Sequence, residues 1–470
     1  MADSRRVHER PTGHANIAAP WWQGGRWLIL LALCCAVLIA QLDTSVVNLA
    51  IQPIGTYFRA PIDKLQWVVD GYNLLYAVLL LTGGLLADLI GRRLVFIVGA
   101  VVFTIASLLC AVAPSIQTLI LARALAGVGA ALLLPSSLAI VRVIWSQARD
   151  RGKALGIWAG CNGVAFAIGP TIGGLLIAHF GWRSIFLIVV PVGLGAALLA
   201  LWKIPESSDS RERRFDLPAQ FFGGIALGGL AVGAIESQRS WHFAIVALGI
   251  AALSLAGFLR VEKRGGSSAL VPLEMFRNRD FAAAVMATIG MTFGMYGVIF
   301  LMPLSWQTSG MLDPVHAGLA LAPMALVFVV VSTFSGSLSH RFGVAFPAGG
   351  GVTIIGLGLL LIAATAQENS LLFDEIGLIA TGLGMGLATG PLMGIAVSAF
   401  SAARSGTAAS LINVARMAGA VIGVAVLGAS FAASHGGAGG LRLALLTGGF
   451  VQVLAGALAW RALIRTSIPR

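Results

Sequence analysis

A chain of 470 residues that is 58% hydrophobic and only 11% charged cannot coat a soluble globule of its own size, so its solvent is lipid. A formal charge of +12 would suit a nucleic-acid binder in a soluble protein, but here Lys and Arg gather in alternate loops, a pattern of membrane topology that leaves no place for a nucleic-acid partner. Cys34, Cys35, Cys110 and Cys161 lie inside apolar runs without CxxC spacing or clustered histidines, which argues against disulfides or a metal site and makes them packing residues.

Residues 1–26 form a basic polar tail. The first apolar run, 27–51, is too long for a signal-peptide core and lacks a small-residue cleavage site, so it reads as a retained helix. Runs at 66–87, 94–113, 117–141, 154–178 and 184–204 complete a six-helix N-terminal bundle over 27–204. Two further runs, 217–236 and 241–259, lie within 205–280 between basic linkers; their interiors carry no ionisable residue, so they read as architectural additions. Runs at 281–304, 316–338, 346–366, 371–397, 406–432 and 441–463 form a C-terminal six-helix bundle with a short tail over 281–470. The fold class is therefore an all-α membrane protein of fourteen transmembrane helices, arranged as six, two and six.

An even number of spans puts both ends on one side. That side carries 24 of the 31 Lys and Arg, the opposite side only Arg59, Lys64, Arg183, Arg239 and Arg442, and two, Arg123 and Arg416, fall within spans. The positive-inside rule makes both termini cytoplasmic in a cell inner (plasma) membrane.

An ionisable side chain deep in a span costs at least about 2.5 kcal/mol on insertion scales, so such residues face a cavity or a partner. Asp43, in Gln41-Leu-Asp-Thr-Ser-Val-Val-Asn48, is the leading proton carrier, with Thr44 and Asn48 adding polar groups near its face; a structural hydrogen bond or cap near the outer end of the helix is the competing reading. Arg123, in Leu-Ala-Arg-Ala-Leu-Ala-Gly-Val-Gly-Ala-Ala, needs an acceptor, for which Asp43 or carbonyls of the first helix serve, and here too a purely structural arginine is the alternative. Asp70 falls near the outer end of the second span and reads as a water-facing vestibule residue. Gly83 to Arg93, GGLLADLIGRR, marks a membrane-edge hinge, with Gly84, Asp88, Gly91, Arg92 and Arg93 at the handover between two spans. A weaker echo, Gly336 to Gly343, puts His340 where Asp88 stands and suggests two related halves. In the fifth span Gly156, Gly169, Pro170, Gly173 and Gly174 predict close packing and a bend. Asn48, Trp67, Tyr72, Tyr76, Asn162, Tyr296, Trp306, Asn413 and Arg416 are candidates for lining a central cavity, packing or interface anchoring being the alternative for each.

On these stretches the chain resembles a major facilitator superfamily transporter of the fourteen-helix drug:proton antiporter branch, over residues 20 to 465. GGLLADLIGRR resembles the hallmark between helices two and three, LARALAGVGAA the basic motif of helix four, and Gly156 to Gly174 the helix-five motif of antiporters, with Ala165 standing at its central glycine. Leu42 to Ala50 resembles the first-helix signature of the branch. The resemblance implies two six-helix bundles plus two extra helices, proton coupling through Asp43 and Arg123, and a latch in which Asp88 meets the start of a helix of the other half near Gly406. His340 and Val344 depart from a second full hallmark, so that latch is expected on one side only.

The sequence contains no GxxxxGK[ST], HExxH or GxSxG, so neither ATP-driven transport nor hydrolysis has residue support, and no enzyme activity or cofactor is expected. The expected function is a proton-coupled antiporter, monomeric, exporting amphipathic or cationic small molecules such as drugs and antiseptics. The alternatives are a dedicated exporter of an endogenous metabolite or lipid, proton-coupled uptake, which the resemblance of Gly156 to Gly174 to the antiporter motif disfavours, and a non-transporting membrane sensor or scaffold.

Overall fold

A computed structural model describes residues 25–208, 216–238, 240–265, 271–368, 370–400, 402–434 and 436–464. Among them are fourteen helices long and apolar enough to cross a membrane: α1 (Arg26–Phe58), α2 (Ile62–Ile90), α3 (Arg92–Ala111), α4 (Ile116–Ile144), α5 (Arg149–Phe180), α6 (Ser184–Lys203), α7 (Leu217–Ile235), α8 (Trp241–Gly265), α9 (Arg279–Thr308), α10 (Pro314–Phe342), α11 (Phe346–Thr365), α12 (Leu371–Ser398), α13 (Thr407–Ala433) and α14 (Gly437–Ile464). Most of the basic tail over 1–26 and most of the polar stretch of the 205–216 linker lie outside the described residues.

Most helices overrun the apolar run that announces them. The 33 residues of α1 span about 50 Å at 1.5 Å per residue, against a hydrocarbon layer of about 30 Å. Hydropathy marks the lipid boundary, whereas the helix continues until a cap ends it. Ser115, Asp216, Asn278 and Asp313 each accept a backbone N–H in the first turn of α4, α7, α9 and α10. Asp313 takes both the backbone N–H and the ring nitrogen of His316 at 2.9 Å, which holds its carboxyl below the usual carboxylate range.

In the first half α4 packs on α2 and α3, and α1 packs on α5 and α6; in the second, α9 packs on α13 and α14, and α12 on α10 and α11. The halves meet where α5 lies along α10, α2 along α13 and α1 along α9. The pair α7 and α8 packs on itself, and α7 also leans on both α2 and α13, so it straddles the seam between halves. Gln220 of α7 donates to the Val78 carbonyl and meets Thr82 of α2, a polar attachment that an inventory of ionisable residues passes over. Large apolar side chains are exposed along α8 and α14, Leu253, Phe450, Leu454 and Leu458 among them, as a lipid-facing surface requires.

Helix approach is closest at small residues. A Cβ at Gly83 would overlap the Ala131 carbonyl and lie 3.2 Å from the Leu132 Cα, so α2 and α4 touch backbone to backbone. At Gly152, by contrast, a Cβ would meet nothing within 4 Å. Gly83→Leu should therefore destabilise by about 1–3 kcal/mol, read as a lowered melting temperature in detergent, while Gly152→Ala should leave the melt unchanged or raised; equal effects would refute the packing described.

Candidate functional site

The face of α1 that carries Leu42, Ser45 and Val46 is committed to α5: Gly169 packs on Ser45 and Leu42, and Gly173 on Val46. Spacings of three and four residues put those side chains on one stripe and turn Asp43 away from it, toward α2 and α4. There the Asp43 carboxylate meets Arg123 of α4, with Oδ2 2.5 Å from Nη1, and the two side chains are each 1% exposed. Arg123 Nε donates to the Val68 carbonyl at 3.0 Å, so the backbone acceptor comes from α2 and not from the first helix. The guanidinium lies 4.6 Å from the Tyr72 ring centroid and 5.9 Å from that of Phe186 of α6. Tyr72 in turn reaches the Ala40 carbonyl at 3.4 Å. An ion pair, two aromatic faces and a main-chain acceptor from four helices thus close one polar site inside an apolar bundle.

Asn48 is buried, and its amide donates to its own helix at Thr44 O, not toward Asp43, from which five residues of helix rotate it away. Asp70 lies 0% exposed in α2, with neither carboxylate oxygen hydrogen-bonded, beside a buried Asn73 whose side chain is equally unpartnered. The water-facing vestibule position expected for Asp70 is thus corrected: helical spacing puts it on the stripe of Gln66, which faces α13. Tyr76 of α2 and Tyr296 of α9 both lie within reach of the charge of Arg416 of α13, whose Nε has no partner, so these three come together between the halves. Asn413 bonds to its own helix at Ala409 O; Trp67 and Asn162 are half-buried. Trp306 is elsewhere: its Nε1 donates to Asp374 of α12 at 2.8 Å, inside the second bundle beside a cavity of about 200 Å³.

On the side opposite the chain ends, the halves are sealed. Gln66 Nε2 donates to the Val424 and Ala425 carbonyls at 3.0 and 2.9 Å, and Gln307 Nε2 to the Leu49 carbonyl at 3.1 Å. Gly174 packs on the backbone of Pro314 and Val315, and Gly318 on the Pro170 carbonyl. Toward the chain ends the faces of α5 and α10 that carry Gly156, Gly160 and Gly336 are open, for a Cβ there would meet nothing within 4 Å, while Trp158 keeps α5 on α4 by donating to Ser137 Oγ at 3.1 Å. The two glutamines escaped the sequence reading because an uncharged amide in a span carries no cost signal as a carboxylate does.

In the hinge, Gly91 adopts φ +125° and Gly84 touches Pro135 of α4. Arg92 holds the Asp88 carboxylate at 2.8 Å. Glu206, after α6, accepts the backbone N–H of Arg93 and Leu94 at 3.0 and 3.1 Å and lies 3.7 Å from the Arg93 guanidinium, so a carboxylate caps the start of α3. The side-chain surroundings of Gly406 lie outside the described residues. Gly343, the echo of Gly91, also has positive φ, +78°. Glu206 was legible only as an acid after an apolar run; nothing in the sequence places it across the hinge.

The family model of the Major Facilitator Superfamily matches residues 33–424. The chain is 36% identical over 395 residues to the multidrug resistance protein Stp of Mycobacterium tuberculosis, covering 83% of this chain and 73% of Stp. It is 30% identical over 369 residues to the riboflavin transporter RibZ of Clostridioides difficile, covering 78% and 79%. The fold matches the crystal structure of a D-xylose-proton symporter with a TM-score of 0.68 at 15% identity, over 94% of this chain and 99% of that one.

Removing one member of a buried ion pair strands the other, at about 3–5 kcal/mol. Asp43→Asn should lower the melting temperature in detergent and Asp43→Asn with Arg123→Gln should restore much of it, whereas Asp70→Asn, which breaks no contact, should leave it unchanged or raised. Equal losses for Asp43→Asn and Asp70→Asn would contradict these assignments.

Proposed function

For this chain, which belongs to the Major Facilitator Superfamily, we propose a proton-coupled antiporter that exports amphipathic or cationic small molecules from the cytoplasm across the inner membrane, as a monomer with both termini cytoplasmic. The carrying observation is the Asp43–Arg123 pair, a carboxylate and a guanidinium held at 2.5 Å within the apolar depth of α1 and α4. A proton and a cationic cargo compete for that one carboxylate, and whichever binds releases Arg123 to its other acceptor at Val68 and to the Tyr72 face. Likeness to a multidrug resistance protein supports the cargo class.

In this reading the seal by Gln66, Gln307 and the α5–α10 glycines closes the outer side, and the open faces of α5 and α10 toward the chain ends are the cytoplasmic entrance. Arg416 with Tyr76 and Tyr296 offers cargo an aromatic and polar surface between the halves. One charge crossing 100 mV is worth about 2.3 kcal/mol and one pH unit about 1.4 kcal/mol, so one proton sustains a gradient of an uncharged cargo on the order of a hundredfold or more, whereas one-for-one exchange with a monovalent cation is electroneutral and draws on the pH difference alone, about tenfold per pH unit. Asp88, Arg92 and the Glu206 cap hold the hinge as a unit of the first half, which moves against α13.

A second reading, a dedicated metabolite exporter, is favoured by the likeness to a riboflavin transporter. Everted vesicles with an imposed pH gradient separate the two. A lipophilic cation should discharge the gradient with the wild-type chain and not with Asp43→Asn/Arg123→Gln, which removes the coupling groups while sparing the fold. Discharge by the double variant at the wild-type rate would sink the proposed coupling; silence of the wild type toward every cation, with response to one metabolite, would select the second reading.

A further inference from the structure

On the face that carries the chain ends, α11 and α14 enclose a groove of about 610 Å³ open to the lipid side. Its floor follows from sequence. α11 opens with a wide turn, Phe346–Gly350, in which Gly349 and Gly350 bring the backbone against Trp460; a Cβ at Gly350 would lie 2.8 Å from the indole Cζ3. The Phe346 ring meets Trp460 edge-on at 5.7 Å. Ile354 and Ala457 form the walls, and the Thr353 hydroxyl is turned inward on the Gly349 carbonyl at 3.0 Å, which hides the one polar group of the wall. The groove is therefore apolar along its length and charged at one point, the exposed Arg461 in the last turn of α14. A second guanidinium, Arg341, stands over Phe342, which packs on Phe346 at 5.7 Å.

No carboxylate answers these cations from the elements that build the groove. No Asp or Glu occurs between residues 314 and 367, or from 376 to the end of the chain. The three acids between them, Glu368, Asp374 and Glu375, sit at the far end of α11 and the start of α12. An apolar slot at membrane depth with uncompensated guanidinium at the interface is complementary to one class of molecule, a lipid with an acyl chain and an anionic head.

We infer that this groove is a binding site for an anionic glycerophospholipid, with an acyl chain laid against Trp460 and Ile354 and the phosphate on Arg461, Arg341 assisting. The site stands apart from the seam between halves and from Asp43, so it rests on the membrane fold alone and not on the cargo.

The test uses the full chain, purified, delipidated and titrated with dioleoyl phosphatidylglycerol or dioleoyl phosphatidylcholine, with bound lipid counted by native mass spectrometry. The wild type should hold phosphatidylglycerol about fivefold more tightly, as one guanidinium at the interface provides. Arg461→Gln should abolish that preference, Arg461→Lys should keep it, and Ala457→Trp, which fills the slot, should weaken both lipids. Arg461 is exposed in a terminal turn, so its substitutions test the head-group contact even if Ala457→Trp fails to fold. Equal retention of the two lipids by the wild type, or phosphatidylglycerol retention unchanged in Arg461→Gln, would overturn the inference.

Discussion

The contact between Asp43 and Arg123 is what lets four helices of the first bundle share a polar interior. Removing either group would leave the other charge buried and unpaired, and Val68 with the rings of Tyr72 and Phe186 completes the guanidinium's surroundings. The registers of α1, α2 and α4 are fixed against one another as a result. The stripe of α1 that faces α5 is then determined too, and with it where Gly169 and Gly173 must fall. A charge pair that costs desolvation thus secures arrangement in a medium where apolar packing between helices has little directional preference.

The small residues of α5 have two tasks that the sequence presents as one pattern. Gly169 and Gly173 admit α1 from the same half, whereas Gly174, with Pro170 and its partner Gly318, admits α10 from the other. The first contact builds a bundle, and the second closes a passage between bundles. α7 adds a further restraint, since it is tied to α2 through Gln220 yet also touches α13 across the seam. Relative motion of the halves must therefore slide α13 along α7 while α7 travels with α2.

Helix number and order were legible in the sequence because hydropathy over a span is a sum, insensitive to local error, as the match between the runs from 27 to 463 and the fourteen helices illustrates. The pairing of Asp43 with Arg123 was legible because intramembrane charge is costly enough to require a partner. Helix ends were not, since caps such as Asn278 and Asp313 lie outside the apolar runs. The burial of Asp70 was hidden by its nearness to the end of an apolar run, where hydropathy treats a carboxylate as wet; the stripe it shares with Gln66 decides otherwise, and that stripe has meaning only once α13 is known to cover it. Trp306 shows the opposite limit, a residue of the right chemistry whose helix face looks into its own bundle.

The seal on the side opposite the chain ends uses one amide side chain from each half, Gln66 of α2 and Gln307 of α9. Gln66 and Gln307 address main-chain carbonyls, of Val424 and Ala425 and of Leu49, and not side chains. Every residue type presents a carbonyl, so the helices that receive these bonds are free to vary at those positions without loosening the closure. The burden of retention falls on two amides and on the small residues that let backbones come within their reach. A drifting lineage can therefore remodel the shape and chemistry of the accepting helices, and with them what the passage admits, while the device that shuts it stays unchanged.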